Sequence, residues 1–333
     1  MRIIIPMAGM GKRMRPHTLT TPKPLIPVAG KPIVQRLVED IAKVCNEKIE
    51  EIAYIIGDFG KEAENNLIKV AESQGAKGSI YYQKEALGTA HAIMCAEAAL
   101  KGKVVVAFAD TLFKADFKMD TQQEGVIWVQ KIEDPRQFGV VKLDDKGVIT
   151  DFVEKPQQFV SDLAIIGIYY FKDGEYLREQ LQYLIDHDIR DKGEYQLTNA
   201  MENMKVQGKK LIPGRVTEWL DCGNKDATVY TNQRVLEITQ DKLKIPASVK
   251  MENAVVIPPC FIGEDVRLTH AVIGPHVSIG KGSTVSNSVI RNSIIQQHST
   301  VEQAVIDNSM IGSYVSYRGS SRDLSMGDYT TEQ

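Results

Sequence analysis

The chain has 333 residues, long enough for a full catalytic core and a smaller second domain. Hydrophobic residues make up 43% and charged residues 25%, the composition of an ordinary folded globular protein. A formal net charge of -3 excludes a general attraction to nucleic acid or to acidic membranes, so any phosphate must be gripped by locally placed cations.

Arg2 to Met7 reads as a buried strand, and Val34, Leu37, Val38, Ile41 and Ala42 recur at helical spacing before a second strand at Ile52 to Ile56. A helix from Lys61 to Ser73, a strand from Ser79 to Gln83, a helix from Gly88 to Ala99 and a strand from Lys103 to Ala109 follow. Strands alternating with helices predict a Rossmann-like α/β fold, a mixed but mainly parallel sheet with helices on both faces. Ligands of such sheets sit at the carboxyl ends of the strands. From Gly125 to Phe171 strands dominate, with turns at Asp144-Asp145-Lys146-Gly147 and Glu154-Lys155-Pro156. Helices return at Gly174 to Ile185, Leu197 to Met204 and Lys225 to about Ile238, and Lys244-Ile245-Pro246 reads as a linker. These features predict a catalytic domain over 1–243 and a second domain over 244–333 with a polar C-terminal tail.

Beyond Pro246 aliphatic residues recur roughly every five or six positions, as at Ile257, Ile262, Leu268, Ile273, Ile279, Val285, Ile290 and Ile295, with small or polar residues between them. Neither a helix nor a strictly alternating strand produces that spacing. A short left-handed parallel β-helix does, at roughly 17–18 residues a turn, so the segment makes about three or four turns. The open sheet edges of such a stack invite subunit contact, so a homo-oligomer is expected. Cys45, Cys95, Cys222 and Cys260 form no Cys-x-x-Cys pair and have no His at metal-ligand spacing, which fits a reducing compartment. The apolar run at Met1 to Pro6 is too short for a signal peptide and no window approaches ~20 apolar residues, so the expected location is the cytoplasm, away from membranes.

The first strand runs into Ala8-Gly9-Met10-Gly11-Lys12-Arg13-Met14-Arg15-Pro16, then Thr21-Pro22-Lys23-Pro24-Leu25. Gly9 and Gly11 let the backbone approach a nucleotide, and Arg13, Arg15 and Lys23 can neutralise its phosphates. Arg13 after Lys12 excludes a Walker loop, and Met14 stands where a dinucleotide fingerprint needs its third Gly. The whole stretch, Gly9-x-Gly11-x-Arg13-x-Arg15-Pro16 with Pro22-Lys23-Pro24 and Pro27-Val28, closely resembles the signature of the sugar-1-phosphate nucleotidylyltransferase family, glucose-1-phosphate thymidylyltransferases among them. The resemblance extends to about Ile238, and a hexapeptide-repeat tail is common in that family.

The resemblance implies an enzyme that joins the nucleoside monophosphate of a nucleoside triphosphate to a sugar 1-phosphate with Mg2+ and releases pyrophosphate. It implies that Arg13 and Lys23 hold the triphosphate, with Ala8, Gly9 and Gly11 lining its site. Asp110, after the strand at Val104, and Asp221, in Trp219-Leu220-Asp221-Cys222-Gly223, match the family's two Mg2+ carboxylates. Taken singly, either can be an Asp that caps a helix or makes a turn after a strand. Phe138-Gly139-Val140, Glu154-Lys155-Pro156, Gly167 and Lys192-Gly193-Glu194 resemble the sugar-phosphate side. There Gly139 faces the sugar, Glu154 takes its hydroxyls, and Lys155 and Lys192 grip its phosphate. Each lysine read alone is a solvated surface charge.

Gln83 with Leu87-Gly88-Thr89-Ala90-His91 resembles the base-recognition stretch. A Gln amide that donates and accepts at once matches the edge of uracil or thymine, which favours dTTP or UTP. His91 at a helix start reads as structural. Lys12 and Ala109 depart from the family's usual Thr or Ser and Gly, and Ala164-Ile165-Ile166 before Gly167 departs at the sugar pocket. Glucose 1-phosphate is the expected acceptor, with mannose-1-phosphate guanylyl transfer as the competing assignment. A non-catalytic regulatory subunit on this scaffold would be expected to lack a loop Arg, the Lys or a carboxylate, and none is lost here. A β-helix that transfers acyl groups finds no partner in the sequence for His270, His276 or His298.

Overall fold

A computed structural model describes residues 1–331 apart from Met10 and Asp116. The chain divides into two compact units: Met1–Ile26 with Lys31–Asn224, and Pro27–Gly30 with Lys225–Gln333. The sequence places the boundary at 243/244, whereas by packing the helix from Lys225 joins the second unit.

In chain order the strands are β1 (Arg2–Pro6), β2 (Pro27–Val28), β3 (Lys31–Pro32), β4 (Glu51–Ile56), β5 (Lys77–Tyr82), β6 (Val104–Ala107), β7 (Thr111–Lys114), β8 (Gly125–Lys131), β9 (Val140–Leu143), β10 (Ile149–Val153), β11 (Leu163–Phe171), β12 (Leu211–Arg215) and β13 (Glu218–Asp221). The helices are α1 (Ile33–Val44), α2 (Gly60–Ser73), α3 (Thr89–Met94), α4 (Gly174–Asp186), α5 (Leu197–Val206) and α6 (Lys225–Thr239). The main sheet of the first unit runs β10-β9-β11-β6-β1-β4-β5, with β8 on β11 and β12 on β8.

The sheet is mixed. Strands β6, β1, β4 and β5 are parallel neighbours, because each crossover carries a helix that covers a face. Around β11 the pairing turns antiparallel to β6, β8 and β9, so the parallel part is confined to the first half and to β12 on β8. Ile3, Ile4 and Ile5 of β1, Ile52, Ile55 and Ile56 of β4 and Val104, Val105 and Val106 of β6 are fully buried. Continuous aliphatic runs are what a strand covered on both faces requires. The helix expected from Gly88 to Ala99 ends at Met94, and a 3-10 turn at Glu97–Ala99 completes the segment. No expected element corresponds to the two-stranded ribbon of β7 and β13.

In the second unit short parallel strands stack rung upon rung. Ile262 pairs with Ile279, Ile279 with Ile295 and Ile295 with Ile311. Leu268, Val285 and Val301 form a second aliphatic column, and Ile273, Ile290 and Ile306 a third. These side chains make one buried cluster. Asn253, His270, Asn287 and Gln303 take the left-handed region on successive rungs, a conformation that Asn tolerates better than most residues. Helix α6 contributes Asn232, fully buried, whose Oδ1 accepts from Ala29 N at 2.9 Å and from Ser278 Oγ at 2.7 Å. That polar hub explains why α6 and Pro27–Gly30 pack with this unit. The three histidines do have neighbours. His270 Nε2 is 3.1 Å from Asn253 Nδ2, His276 Nε2 is 2.9 Å from Glu237 Oε1, and His298 stacks on Tyr314 at 5.2 Å. All four cysteines are free. Among the described residues no helix is long and apolar enough to cross a membrane.

Candidate active site

The loop after β1 is the first wall of the site. Gly11 sits at φ 58, and a Cβ on it would approach Lys23 Cβ and Thr18 Cγ2 to 3.0 Å. Only a residue without a side chain fits that turn comfortably. Thr18 Oγ1 donates to Gly11 O at 2.8 Å and fastens the loop. Met10 of the motif lies outside the described residues. The turn Lys23–Leu25 then buries Lys23, whose Nζ stands 2.8 Å from Asp110 Oδ2.

The second wall is the ribbon of β7 and β13. Antiparallel pairing sets Asp221 opposite Thr111, the residue after Asp110, and Cys222 N donates to Asp110 O at 2.9 Å. The two aspartates, far apart in sequence, therefore end close together, Asp221 on β13 and Asp110 just before β7. Gly223 N donates to Asp221 Oδ1 at 3.0 Å, and a Cβ on Gly223 would lie 2.9 Å from Asp221 Oδ2 and 3.4 Å from Arg13 Nη2. Burial pushes the Asp221 carboxyl above its ordinary range, with a further upward push from the charge of Asp110. The nearby Lys23 and Arg13 pull it down.

Two adjoining clefts share this wall. One, of about 420 Å³, is lined by Ala8, Gly9, Gly11, Gln83, Gly88 and Lys23. The other, of about 250 Å³, is lined by Gly139, Glu154, Lys155, Gly167, Trp219 and Asp221. Arg13, Thr89, Phe108, Asp110 and Glu194 border both. The residues expected to bind a nucleotide thus separate from those expected to bind a sugar phosphate, with Asp110 and Arg13 between. Lys192 is the exception: it lines neither cleft and reaches the backbone instead, with its Nζ 3.4 Å from Lys155 O.

In the smaller cleft a Cβ on Gly139 would meet Glu154 Oε2 at 3.1 Å, so the missing side chain is what makes room for that carboxylate. Lys155 is more than half exposed, with Nζ 3.4 Å from Glu154 Oε1. Gly167, at φ 84, lies where the pairing of β11 with β8 shifts register, and its carbonyl accepts from Phe108 N at 2.9 Å. Thr111 is buried, donates to Ile166 O at 2.7 Å and lies 3.4 Å from Trp219 Nε1. It ties β11 to the ribbon, and Trp219 packs edge-on against Phe138 at 4.8 Å. Thr111, Trp219 and Thr89 escape the sequence reading because their partners are remote in the chain. Trp219, in the motif around Asp221, and Thr89, in the stretch Leu87-Gly88-Thr89-Ala90-His91, carry a signal, and Thr111 carries none.

In the larger cleft the Gln83 amide differs from expectation. Its nitrogen lies 3.3 Å from Gly88 O and 3.2 Å from His91 Nδ1. In this arrangement its hydrogens face partners inside the protein and its oxygen is left for a ligand. Gly88, at φ 107, is held where any Cβ would meet Tyr195 O at 2.4 Å.

Asp110 and Asp221 offer two carboxylates and no softer ligand, the donor set that suits Mg2+ when phosphate oxygens complete its shell. Among the described residues no group of three or more His, Cys, Asp or Glu could hold a metal by itself. The fit is to a metal that arrives with a phosphate-bearing ligand.

Comparison with known proteins bears on the chain as a whole. The family described as Nucleotidyl transferase matches residues 2–238. The low-salt glycan biosynthesis nucleotidyltransferase Agl11 of Haloferax volcanii is 29% identical over 90% of this chain and 89% of its own. A glucose-1-phosphate thymidylyltransferase of Streptomyces antibioticus is 30% identical over 87% of this chain and 81% of its own. The solved structure of a UDP-glucose pyrophosphorylase complexed with UDP-glucose covers 71% of this chain and 98% of its own at 22% identity and a TM-score of 0.58, a likeness of fold.

Proposed function

The chain belongs to the nucleotidyl transferase family, among the sugar-1-phosphate nucleotidylyltransferases, and from that premise we propose that it makes an NDP-sugar and pyrophosphate from dTTP or UTP and a hexose 1-phosphate, glucose 1-phosphate foremost. One observation carries the reading: Asp110 borders both clefts, one with the glycine loop and one with the Gly139–Glu154 wall, with Asp221 opposite its neighbour Thr111.

Ala8, Gly9, Gly11 and Gly88 bring backbone against the nucleotide, and Gln83 meets its base. Arg13 and Lys23 hold the triphosphate. Glu154 takes sugar hydroxyls beside Gly139 and Gly167, while Lys155 holds the sugar's phosphate and Lys192, reached by a side-chain swing, adds to it. Asp110 and Asp221 hold Mg2+, which when bound neutralises phosphate charge. A phosphate oxygen of the sugar attacks the α-phosphorus in line. The new O–P bond forms as the bond from the α-phosphorus to the bridging oxygen breaks, and pyrophosphate leaves with the electron pair. No protein nucleophile is needed, because the phosphate monoester is itself the nucleophile. This chain contributes position and charge, with Arg13 and Lys23 stabilising the departing pyrophosphate.

Residues 1–243 supply this chemistry in our reading. Residues 244–333 form a left-handed parallel β-helix that joins copies into a homo-oligomer, and the enzyme works in the cytoplasm. The stacked, register-matched rungs support the β-helix. Sedimentation of the full chain checks the assembly: a monomer at micromolar concentration would refute it.

The activity is tested with purified protein, Mg2+, a panel of nucleoside triphosphates and sugar 1-phosphates, and a pyrophosphate readout. Turnover should be greatest with dTTP or UTP and glucose 1-phosphate. Greatest turnover with GTP and mannose 1-phosphate would replace the substrate assignment, and no release from any pair would end it.

A further inference from the structure

Gln83 follows β5 and lines the larger cleft beside Gly88. Its amide nitrogen is 3.3 Å from Gly88 O and 3.2 Å from His91 Nδ1. A backbone carbonyl only accepts, so the contact with Gly88 determines which end of the amide is nitrogen. That nitrogen presents its other hydrogen to His91, so Nδ1 holds a lone pair and the ring proton sits on Nε2. Both amide hydrogens are spent within the protein, and Oε1 alone is left to meet a ligand.

The Gly88 carbonyl cannot readily swing away. Gly88 is at φ 107 and lies against the Tyr195 backbone, which accepts from Ala90 N at 2.9 Å and donates to Leu87 O at 2.9 Å. His91 is on α3, one turn beyond Gly88, and does not itself line the cleft. Among the described residues its contact with the cleft lining runs through Gln83.

We propose that His91 is a positioning residue for base selection. By holding the Gln83 amide as a pure acceptor, it favours bases with an imino N–H over those with a lone pair on that ring nitrogen. Uracil, thymine and guanine are of the first kind, cytosine and adenine of the second. The proposal rests on the nucleotide reading of the larger cleft. With His91 gone, the amide loses one of the two contacts that orient it, can turn, and can donate to the wrong base.

The test compares kcat/KM for UTP and CTP, with glucose 1-phosphate, in the wild-type chain, His91→Leu and His91→Asn. The Asn Oδ1 can accept where Nδ1 does. The preference for UTP should fall roughly tenfold or more in His91→Leu and stay within about threefold of wild type in His91→Asn, the range that one hydrogen bond commands. An unchanged ratio in His91→Leu, or equal losses in both variants, would overturn the proposal. Nitrogen-15 NMR of the wild-type chain gives a second reading that does not depend on a variant folding. It should find His91 protonated on Nε2 and bare on Nδ1, and a proton on Nδ1 would overturn the proposal too. A wild-type chain that turns over no triphosphate at all refutes the nucleotide reading itself, a result separate from either of these.

Discussion

Lys23 Nζ lies 2.8 Å from Asp110 Oδ2, a buried ammonium on a half-exposed carboxylate. Lys23 thus places a positive charge beside Asp110, where the proposed reading puts a metal. Divalent binding should accordingly depend on the nucleotide, whose phosphates complete the metal shell and offer Lys23 another partner. Mn2+ titrated by electron paramagnetic resonance should bind weakly alone and at least about tenfold more tightly with UTP, since Mg2+-type sites built on two carboxylates lean on substrate phosphates. Equal affinity in both conditions would count against this exchange of partners.

Asp110→Asn and Asp221→Asn should each lower kcat by about a hundredfold or more, the scale of losing one preorganised electrostatic contact. Chelation with EDTA should abolish turnover in wild type and be reversed by Mg2+. Near-normal turnover in either variant, with circular dichroism unchanged, would remove these residues from the metal assignment.

Gly88→Ala should destabilise the first unit. A non-glycine residue at such a positive φ costs on the order of 1–3 kcal/mol, and the added Cβ would meet Tyr195 O at 2.4 Å. Urea unfolding followed by fluorescence should show a lower midpoint with a similar slope, and a higher KM for the nucleotide should accompany it. An unshifted midpoint would mean that the loop relaxes without cost.

In the second unit Ile279 is fully buried between Ile262 and Ile295. Ile279→Ala should cost about 2–5 kcal/mol, a transfer loss plus a cavity. Thermal unfolding of the full chain should show the loss, whereas Val305→Ala, at an exposed site, should leave the curve near wild type.

Burial pushes the Cys45 thiol up to about 11. The thiolate is the reactive form, so at pH 8 iodoacetamide should modify Cys45 roughly a hundredfold more slowly than a free cysteine. A raised pKa favours the protonated folded state, so this contribution is complete below the unfolded thiol's pKa and is lost as pH rises toward 11. Mass spectrometry of timed alkylation reads the first effect, and fast labelling at pH 8 would contradict it.

Much of the fold was legible in the sequence because it rests on local pattern. Apolar runs at Ile3–Ile5 and Val104–Val106, and the run Ile52–Ile56 broken only by Tyr54, become strands covered on both faces, since almost no side chain in them needs water. The glycine turn at Gly11 and the spaced aliphatics from Ile262 onward are likewise written in short windows. The family resemblance carried the site further than composition could, down to the two aspartates.

Contacts between distant residues belonged to the tertiary structure. That Asp221 lies opposite Thr111, that Thr111 ties β11 to the ribbon, and that α6 packs with the second unit through Asn232 all depend on strand register and helix docking. The amide of Gln83 is the sharpest instance: the residue type allows donation and acceptance, and only the nearness of Gly88 O and His91 Nδ1 spends its hydrogens. A sequence records which groups can bond, and burial fixes local strands and turns. Which donor meets which acceptor across the chain is decided by the packing, which leaves most buried polar groups a partner.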